Sequence, residues 1–168
     1  MALRVLVMAV ALLLMMVSPG HAAPASECLA MAEGPFQAIP VAYQPAAITE
    51  NQVQLTYVGH STFLIESHEG VRIATDYAGY PNDPLPDAVT MNRAHSSHYT
   101  DHPDPAIRHV LRGWNPAGGP AQHDVQVGDV RVRNVTTDIR SGQFGRQPDA
   151  NSIFVFEVAG LCIGHLGH

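Results

Sequence analysis

From Val53 to Ile163 the apolar residues arrive in short runs, each cut off by Gly, Asp, Asn or Pro, and this chopping constrains the fold more than any other feature of the chain. Val53, Leu55 and Tyr57 alternate with polar neighbours, the period of a half-buried strand. Gly59-His60 interrupts that run. Thr62 to Ile65 and Val71 to Thr75 read as the next two strands, with Glu69-Gly70 as the tight turn between them and Asp76 closing the third. Pro81, Pro84 and Pro86 deny ladder hydrogen bonds and mark a loop. Ala88 to Met91 is a short buried strand that runs directly into a polar, histidine-dense loop over 92–103. Asp104 as cap and Pro105 at the first helical position predict a short helix over Pro105 to Trp114. Val125, Val127, the Gly128-Asp129 turn, Val130 and Val132 predict a hairpin. Ser141 to Asp149 reads as loop, Ile153 to Val158 as a strand covered on both faces, and Leu161 to Ile163 as a last strand after the Ala159-Gly160 turn. The chain is therefore strand-rich, and several strands end in loops that carry histidines or acids, where a rigid sheet can present function.

Residues 1–22 predict a secretory signal: Arg4 is the lone charge, an apolar run from Val5 to Val17 follows, and Ser18-Pro19-Gly20 breaks it ahead of cleavage after Ala22. The run is short for a membrane span, which needs about 20 residues. An Ala/Pro-rich arm covers 23–50, and one domain covers 51–168. Export predicts a periplasmic or secreted protein with no stable membrane anchor after cleavage. In an oxidising compartment Cys28 and Cys162 have the opportunity to pair, which sequence alone leaves open. Hydrophobic residues make up 46% and charged residues 14%, which excludes a disordered tail. The net charge is −6, with nine basic residues, all arginine. An acidic chain lacks the basic footprint of a nucleic-acid binder, so the expected partner is a small-molecule substrate, with a homo-oligomer left open.

Ten histidines in 168 residues are an excess, and they cluster. His95, His98, Asp101 and His102 fall within one loop. Imidazole nitrogens and carboxylate oxygens are the donors that Zn²⁺ and other borderline divalent ions take. A cation with an open position lowers the pKa of its water from about 15.7 to about 7, and Asp101 is the candidate to ligate or to accept the proton. The competing reading is a solvated loop whose imidazoles only hydrogen-bond. His60 reads as a turn or supporting residue, Asp76 as support for the site, and His165 as either a ligand or part of a frayed tail. His68, His109 and His123 receive no role. Tyr80, Tyr99, Trp114 and Phe144 are the candidate pocket aromatics. No Gly-x-Ser-x-Gly elbow, phosphate loop or Cys-x-x-Cys pair is present.

Tyr57 to Ile65, followed by Val71 to Asp76, resembles the opening strands of the metallo-β-lactamase superfamily, in its lactonase-like branch, and Asp87 to Met91 resembles the strand leading into that family's metal loop. The resemblance spans roughly Gln52 to His168. It implies an α/β (α+β) fold, the αββα sandwich, of which this chain would carry the N-terminal half to two-thirds. It further implies one or two zinc ions, or another divalent first-row metal, and a metal-bound hydroxide that hydrolyses an ester, lactone or related bond. Asp101 and His102 carry over to the family's His-x-His-x-Asp-His loop as ligands. His95 and His98 are displaced from that spacing. Thr136-Thr137-Asp138 stands where a further histidine is usual, and His165 where a bridging carboxylate is usual. The alternatives are a non-catalytic periplasmic metal-binding protein and an inactive truncated remnant.

Overall fold

The computed structural model describes residues 47–79, 84–141 and 145–167. The predicted leader, Cys28, most of the arm, Tyr80 and Phe144 lie outside them. Nine strands form two sheets among the described residues. The first sheet has the order β1 (Val53–Gly59), β2 (Thr62–Ser67), β3 (Arg72–Ala74), β4 (Ala88–Met91), β5 (His109–Arg112). Its first three strands are antiparallel and its last three parallel. The second is an antiparallel meander of β6 (Asp124–Val127), β7 (Val130–Ser141), β8 (Gly145–Val158) and β9 (Leu161–His165).

Alternation builds the core. Ile65 and Ile73 are register partners on one face of the first sheet, and with Ala88 and Leu111 they pack against Val130, Val132, Phe154, Phe156 and Val158 of the second. The intervening residues Leu64, Ala74 and Val89 turn to the opposite face, where Met91, Tyr77 and Ile107 join them in a second cluster. The first sheet is thus covered on both sides, so all four residues of β4 are buried. Parallel pairing forces long crossovers between β3 and β4 and between β4 and β5. Those crossovers, 75–87 and 92–108, hold the candidate site.

Three expectations are corrected. The segment from Pro105 to Trp114 is not a helix. Asp104 does cap, but it caps a turn: its Oδ1 accepts from Ala106 N at 2.8 Å and its carbonyl from Ile107 N at 3.0 Å. His109 to Arg112 then pairs in parallel with β4, because a buried sheet edge supplies ladder partners that local propensity does not see. No α-helix occurs among the described residues, so the helical layers of the expected sandwich are not seen there. The loop expected over 141–149 is largely strand, since β7 and β8 continue their hairpin as far as Ser141 and Gly145. Polar content misled there, because the extension stands away from the core and stays exposed. The face read as buried on β1 is also partly open: Leu55 is 53% exposed and Tyr57 63%. Of β1 only Val53 packs onto the core between the sheets, and β1 is the edge strand of its sheet.

Candidate metal centre

The site is built at one end of the sheets, where β1 turns into β2, where β3 and β4 end, and where β9 ends. Its centre is His98, 5% exposed. Its Nδ1 donates to Asp76 Oδ2 at 2.5 Å, and Ser61 Oγ lies 3.0 Å from the same nitrogen. Asp76 is fully buried, and its other oxygen accepts from Asn92 Nδ2 at 3.0 Å. A carboxylate that takes the Nδ1 proton fixes the tautomer, so the lone pair of His98 resides on Nε2, the arrangement found behind metal-ligating imidazoles. The Ser, His and Asp do not form a nucleophilic triad. Serine and aspartate meet the same ring nitrogen, whereas a triad needs them on opposite ones.

Asn92 carries the site across the two layers. Its Oδ1 accepts from Ser152 N at 2.8 Å and its Nδ2 donates to Ser152 O at 3.2 Å, so it acts as a surrogate strand partner for β8. The loop after it folds back, with His98 N donating to His95 O at 2.9 Å and Asn92 N to His98 O at 3.2 Å. Gly113 makes room for this bridge: a Cβ there would stand 2.2 Å from Asn92 Oδ1. His60 and Asp76 both hold left-handed backbone, φ 50° and 40°, a strained conformation for non-glycine residues that tends to gather at functional sites. Burial, and second the Asp104 charge, push the nearby Tyr77 phenol above its usual pKa.

His165 joins from the second sheet. Its Nε2 donates to the Ser61 carbonyl at 3.2 Å, which leaves the lone pair on Nδ1, and that atom is buried without a hydrogen-bond partner. The rings of His60 and His95 lie 5.2 and 6.0 Å from that of His98. Phe63 stands 6.3 Å from His165 and 5.4 Å from Tyr57, so an exposed aromatic wall leads to the imidazoles.

The predicted ligands therefore divide. His98 and His165 are placed with lone pairs set for a cation, and His95 is beside them. Asp101 and His102 are exposed on the far limb of the loop, where His102 N donates to Thr100 Oγ1 at 3.1 Å. Among the described residues no three of His95, His98, Asp101, His102 and His165 bring donor atoms within 4.8 Å of one another. Asp138, the stand-in for a missing histidine, is instead engaged by Arg146 at 2.5 Å and by the Asp149 N–H at 3.2 Å, and the guanidinium holds its carboxyl below the usual range. Ser61, Asn92 and Ser152 had no legible signal, since Asn92 and Ser152 are 60 positions apart. Tyr99 and Trp114 pair with each other at 5.6 Å and pack on the outer cluster. Two hollows of about 420 and 410 Å³ border His123 and include none of the imidazoles around His98.

Residues 54–168 match the family described as the beta-lactamase superfamily domain. The chain belongs to the metallo-β-lactamase superfamily. Among the solved structures that match, one from Parabacteroides distasonis, provisionally named a metal-dependent hydrolase, aligns with a TM-score of 0.48 at 12% identity. The alignment covers 68% of this superfamily member and 60% of that chain. No curated protein matches.

Proposed function

We propose that this superfamily member is an exported, metal-dependent hydrolase acting on an ester, a lactone or a related bond of a small molecule. The observation that carries the reading is the buried Asp76 carboxylate behind His98, which commits that imidazole to present Nε2 as a donor. The orphaned, buried Nδ1 of His165 gives a second imidazole donor, and imidazole is a donor type that a zinc-class ion takes, although among the described residues no third donor joins these two with all three within 4.8 Å of one another. Such an ion supplies a Lewis acid and water acidified to a pKa of about 7. The chain's residues do the rest. Asp76 and Asn92 hold the His98 ring, and Ser61 fixes both His98 and His165. To complete the donor set, His95, Asp101 or His102 has to swing in from the exposed side of the loop, and Asp101 is the residue we assign as proton acceptor. The Tyr57 and Phe63 wall offers apolar surface to an acyl chain or ring. The lone Arg4, the apolar run from Val5 to Val17 and the small residues up to Ala22 are what support export.

His98→Ala is expected to lose the zinc of this centre and to lower chelator-sensitive turnover on a lactone and ester panel by at least 100-fold. Zinc content and turnover that match the parent would defeat the proposal. The separation of Asp101 and His102 from the imidazoles favours a second reading, a metal-binding protein without catalysis. It predicts zinc uptake with no turnover on any member of the panel.

A further inference from the structure

At the opposite end of β2 from His98, two hairpin turns of different sheets meet. The β2–β3 turn closes with Gly70 N donating to Ser67 O at 3.1 Å, which sets His68 and Glu69 at its two corners. The β6–β7 turn places Asp129 against it. That approach is close enough that a Cβ on Gly128, which has φ 56°, would stand 2.5 Å from Val71 Cγ2. Ser67 Oγ donates to Asp129 Oδ1 at 2.6 Å and so aims Oδ2 at His68. His68 Nδ1 and Asp129 Oδ2 are 3.2 Å apart, yet this Oδ2 is buried and has no partner of hydrogen-bond geometry. Glu69 adds a third donor, with the three ligand atoms all within 4.8 Å of one another.

We propose that His68, Glu69 and Asp129 form a second divalent-cation site of the zinc class, which clips the two sheets together. Bonds of about 2.0–2.1 Å in a tetrahedron place neighbouring donors about 3.3 Å apart, which is the separation His68 and Asp129 already hold. One imidazole and two carboxylates neutralise a divalent charge, and the Ser67 hydroxyl orients the carboxylate from behind, as outer partners of metal ligands do. With three protein donors the cation keeps at least one position for water and exchanges readily. The site lies five residues along β2 from Thr62, roughly 17 Å at about 3.3 Å per residue, so it neither shares donors with the His98 cluster nor touches its substrate. Its effect is on the folded state, because a cation that bridges the turns binds only when both sheets are assembled.

The test uses the full chain, stripped with chelator and titrated with zinc alone. His98→Ala is expected to keep one zinc equivalent and a zinc-dependent rise in melting temperature on the order of 5 °C, the scale of a ligand at about 100 times its Kd. Adding His68→Ala or Glu69→Gln to that variant removes both the equivalent and the rise. Glu69 is exposed, so the second substitution reads the site without disturbing the core. In the parent, either single change leaves turnover intact. Zinc stoichiometry and melting shift unaffected by both changes would overturn the proposal, as would a His98→Ala chain that takes up no zinc. A parent that binds a single zinc, lost with His68 and kept without His98, would uphold this site while removing the catalytic reading.

Discussion

The two ends of β2 carry similar donors in opposite settings. At the Ser61 end, serine, histidine and aspartate are drawn inside, and Asp76 is bonded on both oxygens by groups from the crossovers. At the Ser67 end, serine, histidine and aspartate meet on two surface turns, and His68 and Glu69 remain open to solvent. The difference lies in the connections. Parallel strands require long crossovers that can fold back over their own strand ends, whereas tight hairpins can only touch tip to tip. Burial in the first case fixes tautomer and orientation before any cation arrives. The second case leaves orientation to a single hydroxyl.

The contrast breaks most readily at Asp76. Asp76→Ala removes the buried carboxylate that accepts from both His98 Nδ1 and Asn92 Nδ2, and we expect a loss of about 3–5 kcal/mol for the two charge-assisted bonds, measured by denaturant unfolding, while zinc uptake at the His68 end persists. Loss of zinc at both ends with the fold intact would show that the ends are not independent. Gly113→Ala drives a methyl into Asn92 Oδ1 and is expected to cost about 1–3 kcal/mol, with His98-dependent zinc uptake weakened and the hairpin end unchanged. Equal stability in the same unfolding assay would mean that the Asn92 bridge yields without cost.

The smallest effect is electrostatic and belongs to neither end. Burial opposes ionisation of Asp87, but the Arg72 backbone N–H, the Arg108 guanidinium and the charges of both arginines outweigh it, so its carboxyl titrates below the usual 3.8. A carboxyl depressed in the folded state adds stability that is complete above about 3.8 and is lost as pH falls through the folded value. Arg108→Ala is expected to lower stability near pH 6 by about 0.2–1 kcal/mol, and the gap should close under acid. A gap that persists at pH 2 would assign the effect to packing of the arginine stem.

Eight strands were legible because their apolar residues alternate or run continuously between turn signals, and the hairpin over Val125 to Val132 could be read from the alternating valines on either side of Gly128-Asp129. β5 was not legible. Asp104-Pro105 signals a helix start as well as it signals a turn, and the parallel partner that decides between them lies in β4. The site shows the same division. His95, His98, Asp101, His102 and His165 stood out by residue type, and Asp76 by its place at a strand end. The loop's fold-back, which buries His98 and leaves Asp101 and His102 outside, depends on Asn92 reaching Ser152, a contact that no local spacing encodes. His68 went without a role because Asp129, its neighbour in space, is far away in the chain.

The sequence by itself determined the alternation that makes a strand-rich domain and the excess of imidazole and carboxylate at strand ends. These are local properties of residue type and period, and they hold whatever the chain packs against. Tertiary structure decided which histidine is held by a buried carboxylate, which ring nitrogen keeps its lone pair, and which turns meet across the sheets. Each depends on a hydrogen bond between residues distant in sequence, and such bonds form only once two sheets have closed over a common core.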